Sequence, residues 1–90
     1  MKAEIEPGTV VKWVNKGLGR YLLEDADFHD GYAKQWDMKE ELVGDPVTHY
    51  FPEKGIYEIK DSLNFGHIGG CGVILVGDVT YEKNLPCSPQ

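Results

Sequence analysis

The stretch "GIYEIKDSLNFGHIGGCGVILV" (55–76) holds a glycine-rich loop with one aspartate, one histidine and one cysteine, Asp61, His67 and Cys71, whose side chains can bind a metal ion. An imidazole and a thiol four positions apart, with a carboxylate upstream, offer nitrogen, sulfur and oxygen together. Such a mixed set suits Cu(II) or Zn²⁺ better than a soft-metal cluster. The same residues also fit a glycine-rich turn with a surface histidine and a buried cysteine, Cys being among the most buried residue types. The second cysteine, Cys87, makes no zinc-finger spacing with Cys71. The two could pair if the C-terminal segment folds back, and a bridge closing so short a loop adds about 3 kcal/mol.

Two other places carry chemistry-bearing residues. "EDADFHDG" (24–31) gathers Glu24, Asp25, Asp27, His29 and Asp30. It could hold a hard cation or a surface Cu or Zn ion, but it lacks the ligand order of a calcium loop, and a solvated acidic loop fits it equally. His49 alternates with Val47 and Phe51, which points to a core-edge histidine hydrogen-bonded to backbone. A nucleophile–base pair, phosphate loop or dinucleotide fingerprint is absent, so no enzyme is expected.

Those residues need a frame, and the chain reads as short strands between turns. In "GTVVKWVNKG" (8–17), Val11, Trp13 and Asn15 point one way and Val10, Lys12 and Val14 the other. "KGLG" is a turn and "RYLLED" (20–25) a short strand. Residues 25–42 read as a long connection with one turn of helix and Trp36 as a contact residue. "PVTHYF" (46–51) and "IYEIKD" (56–61) alternate around a hairpin turn at "PEKG", with Tyr57, Ile59 and Asp61 on one face. "GVILVGDVTYE" (72–82) is a continuous apolar strand with Ile74 and Val76 inward. Residues 1–82 form one domain, and 83–90 a flexible polar tail.

In that order the motifs resemble the cupredoxins, the blue-copper domains related to plastocyanin and azurin. "GTVVKWVNKG" is similar to their "G-x-x-V-x-W-x-N" strand, and "WDM" (36–38) to "F-D-S". "GDPVTHYFPEKGIYEIKD" (44–61) is similar to "G-x-x-F-x-Y-x-F-x-x-x-G-x-Y-x-Y-x-C" at identical spacing, and "GVILV" to the closing "G-x-I-x-V". The resemblance spans about residues 8–77. It implies an all-β, Greek-key β-sandwich, with the usual first strand lacking or rearranged, or supplied by a partner.

The resemblance also implies where copper ligands would lie, and this chain departs from the pattern there. A type 1 centre uses two histidines, a cysteine thiolate and a weak axial methionine. At the first histidine stand Arg20 and Tyr21; at the cysteine stands Asp61. His67 and Cys71 keep the azurin-like histidine-to-methionine spacing, although Cys71 is displaced by one residue when counted back from Gly72. A normal blue site is thereby excluded. A rewritten site would draw on His67, Cys71 and Asp61, with Tyr21 as a phenolate, and would hold copper, zinc or no metal.

Two functions follow as expectations. One is a cupredoxin-like domain with a non-standard metal site, for electron transfer or metal handling. The other is a copper-free binding or structural module of a larger extracytoplasmic protein. Net charge of −6 argues against nucleic acid; it suits a redox or protein partner with a basic surface, and it equally serves solubility alone. A dimer is one way to complete an open sheet. No apolar run approaches the roughly 20 residues of a membrane span, so a membrane link would need an anchor outside this chain. No secretory leader is read; a periplasmic or secreted location follows from the resemblance alone.

Overall fold

The computed structural model describes residues 1–64 and 70–87. Its described elements are all strands: β1 (Lys2–Ile5), β2 (Thr9–Trp13), β3 (Tyr21–Asp25), β4 (Lys39–Leu42), β5 (Val47–Phe51), β6 (Gly55–Asp61) and β7 (Cys71–Val76). They form a five-stranded sheet in the order β1-β7-β6-β3-β4 and a two-stranded sheet of β2 and β5. The chain changes sheet after β1, β2, β4 and β5, a Greek-key path. β1 runs parallel to β7, and the other pairs are antiparallel.

Several expectations are corrected. The first strand is present: Lys2–Ile5 pairs with Val73–Val76. Gly72 lets the chain start lie close, since a Cβ there would sit 2.8 Å from the Met1 carbonyl oxygen. Residues 39–42 are an edge strand, not a helical turn. The turn at 52–55 does not close a hairpin, because β5 and β6 lie in different sheets. The last strand stops at Val76, where Gly77 takes a φ of +82° that side chains disfavour. Residues 83–87, expected to be loose, are held by buried Leu85 and by a Cys71–Cys87 disulfide.

The main sheet is covered on both faces. Between the sheets, Phe51, Tyr57, Ile74 and Val76 pack with Trp13 and Trp36, continuing into Leu23, Met38, Leu42, Val47 and Ile59. Trp36 plugs this core rather than marking a surface. Its ring lies 5.4 Å from Phe51 and 5.6 Å from Tyr57, and its indole N–H donates to the Glu58 carbonyl at 3.0 Å. His49 sits at the edge of the same stack, 5.0 Å from Trp36. On the outer face, Cys71, Val73 and Leu75 pack against Leu85, with Ile56, Val79, Tyr81 and Phe28 around them. The strict alternation of β7 sends Ile74 and Val76 one way and Cys71, Val73 and Leu75 the other, which is why its sequence reads apolar throughout.

Candidate functional site

Asp61 ends β6, opposite Leu23 of β3, and is 5% exposed. Its Oδ1 accepts the backbone N–H of Leu22 (2.9 Å) and of Leu63 (3.1 Å). Its Oδ2 accepts the Asn64 side-chain amide at 2.6 Å. The same amide donates to the Arg20 carbonyl, and the Ser62 N–H to the Leu22 carbonyl. Asp61 therefore ties the first turn of the following loop to β3 through three N–H donors to its carboxylate. Nearby, the Asn15 side-chain amide donates to the carbonyls of Gly19 and Val43.

Tyr21, half-buried at the start of β3, shares with Asp61 an open cleft of about 250 Å³ whose walls include Trp13 and Leu42. Cys71 does not join them as a thiolate, because its sulfur is bonded to Cys87 and it packs in the cluster on the outer face of β7. This corrects the expectation of Cys71 as a free ligand. His67 lies outside the described residues. Among the described residues no three His, Cys, Asp or Glu side chains are grouped to hold a metal ion.

A second polar cluster lies on the outer face of the main sheet. Glu58 of β6 is 0% exposed. Its Oε2 lies 2.7 Å from His29 Nδ1 and accepts the Tyr81 hydroxyl at 2.5 Å, while Oε1 receives the His29 backbone N–H at 3.4 Å. Burial first, then the Glu58 carboxylate as hydrogen-bond acceptor and as charge, pushes the Tyr81 phenol well above the ordinary tyrosine range, so it remains a donor. Tyr32 packs edge-on against Tyr81 at 5.6 Å. His29 is thus turned inward from its acidic loop.

The pattern of "IYEIKD" places Glu58 opposite Tyr57 and Ile59, on a face that alternation alone would assign to solvent. One signal contradicts that assignment. A neighbouring strand that is apolar on both faces requires cover on both, and its partner's outer residues fall under the same cover.

Comparison with known proteins agrees with this architecture. No protein-family model and no curated protein sequence matches the chain. Among solved structures, it is similar to a purple cupredoxin from Nitrosopumilus maritimus, at 27% identity over 84% of this chain and 77% of that one, with a TM-score of 0.66. It is also similar to a methionine-to-alanine variant of amicyanin in the Cu(I) form, at 17% identity over 84% and 69%, with a TM-score of 0.64. The fold is cupredoxin-like.

Proposed function

We propose that this chain is a copper-free cupredoxin-fold domain that serves as a binding or structural module, not as an electron carrier. The observation that carries the reading is Asp61. It stands where the resemblance places the copper thiolate, and its carboxylate is occupied by three N–H donors, one from β3 and two from the loop that follows it. The disulfide supports a role in an oxidising, extracytoplasmic setting. The net charge of −6 favours a partner with a basic surface. The test is a calorimetric titration with Cu(II) and Zn²⁺, read in parallel by absorption and electron paramagnetic resonance. Absence of stoichiometric binding is expected. One equivalent bound tightly, and lost in His67→Ala, would overturn the reading.

A second reading is favoured by the cleft that Asp61 and Tyr21 share. Here the two would supply oxygen and His67 nitrogen to Cu(II) or Zn²⁺. Cys71 would contribute only after reduction of its disulfide. In this case metal binding would weaken in Asp61→Ala and Tyr21→Phe as well as in His67→Ala.

A further inference from the structure

The outer face of the main sheet is sealed by residues 77–87, which return across β7 after the chain has completed the sandwich. This strap is fixed by unlike attachments: the Cys71–Cys87 disulfide, the Leu85 and Val79 side chains in the apolar cluster on the outer face of β7, the Tyr81 hydroxyl on Glu58, and the Glu82 N–H and Lys83 ammonium on Tyr32. The core between the two sheets is built from other residues. Phe51, Tyr57, Ile74 and Val76 pack with Trp13 and Trp36 without any contribution from the strap. The ladders of β7 with β1 and β6 are likewise complete without it.

We infer that the strap is a redox-released cover: reduction of Cys71–Cys87 lets residues 77–87 leave the main sheet while the sandwich stays folded, exposing Val73, Leu75 and Ile56 to solvent. Three structural features support this. First, the disulfide is the strap's covalent attachment, and the rest are non-covalent: apolar burial of Val79 and Leu85, the Tyr81 hydroxyl on the buried Glu58 carboxylate, and the half-exposed contacts with Tyr32. Second, closure keeps the Glu58 carboxylate at 0% exposure, so rehydration of that group favours opening once the link is cut. Third, the sulfurs are unequal in access: Cys71 is 4% exposed, whereas Cys87 is only partly buried.

That inequality directs the exchange. A thiolate of a protein dithiol attacks Cys87 Sγ, the Cys71–Cys87 bond breaks, and Cys71 leaves as a thiolate that takes up a proton. The second thiol of the reductant then displaces Cys87 from the mixed disulfide. The protein gains two thiols and the reductant becomes a disulfide. Sub-global opening of this kind is expected where one segment shares few contacts with the principal core.

The experiment is hydrogen exchange followed by mass spectrometry on the full chain, oxidised, reduced with dithiothreitol under native conditions, and as Cys87→Ser without reductant. On reduction and in Cys87→Ser, amides of residues 78–87 and of the His29 loop should exchange at least about ten-fold faster, and an apolar-surface dye should bind. Protection of β2, β5 and β6 should be kept. Unchanged protection of the strap would overturn the inference by showing that its non-covalent contacts suffice. Loss of protection in all strands together would overturn it by making the disulfide a staple of the whole fold. If Cys87→Ser does not fold, freshly reduced wild-type protein decides between these outcomes.

Discussion

His29 Nδ1 lies 2.7 Å from Oε2 of Glu58, a carboxylate with no exposed surface, and the two residues come from segments 29 positions apart. The contact joins the loop after β3 to the centre of β6. A buried charge with a partner this close is costly to break from one side and cheap to replace as a pair.

His29→Ala is therefore expected to destabilise the domain by about 3 kcal/mol, because it leaves Glu58 buried with the Tyr81 hydroxyl as its remaining side-chain donor. The double replacement Glu58→Leu with His29→Leu should recover most of that loss. Urea unfolding of the two variants checks both statements, and equal losses would contradict them.

Tyr81 sets an alkaline limit. Its phenol is raised in the folded protein above the ordinary value of 10.0, so the neutral form is favoured by folding. The associated stability is fully present below pH 10, and it declines as pH rises above that value towards the folded-state titration. Wild-type midpoints should fall steeply above about pH 10, and Tyr81→Phe should lose part of that slope. Identical slopes would place the alkaline sensitivity elsewhere.

At the other end of the sandwich, Asp61→Ala orphans the Leu22 and Leu63 amides and frees Asn64. A cost of about 1–3 kcal/mol is expected, with faster exchange at Leu63 than in β2. Copper binding of the folded protein should not change under the copper-free reading. Asp61→Asn should retain part of the stability, since an amide oxygen still accepts one or two of these bonds.

Phe51 is 1% exposed and stacks on Trp36, His49 and Tyr57. Phe51→Ala should cost about 3–5 kcal/mol, enough to unfold much of a domain this small at 37 °C. Thermal unfolding by near-ultraviolet circular dichroism reads the loss directly through the aromatic stack.

What the sequence discloses follows the physics of each segment. Val47, His49 and Phe51 alternate visibly because β5 has one dry face and one wet face. Lys39–Leu42 conceals its strand because it is an edge with only Leu42 buried, and three charged residues in a row carry no period. The first strand escapes notice for a related reason: Lys2 and Glu4 are exposed and Ala3 and Ile5 are only partly buried. Asp61 is found by its place in the motif, but its role depends on the Leu22 amide of β3, which no local pattern announces. Glu58 is missed because its cover comes from residues 23 and 29 positions away.

The parallel pairing of β1 with β7 has a mechanical consequence. With the disulfide intact, a pull between Met1 and Cys87 enters β1 at Lys2 and β7 at Cys71, the same end of two parallel strands, so the rungs open one by one like a zipper. After reduction the pull reaches β7 from Gly77, its far end, and the Lys2–Val73 to Ile5–Val76 rungs are loaded together in shear. Force spectroscopy should then record a higher rupture force for β1 in the reduced protein than in the oxidised one, an inversion of the usual effect of a covalent cross-link.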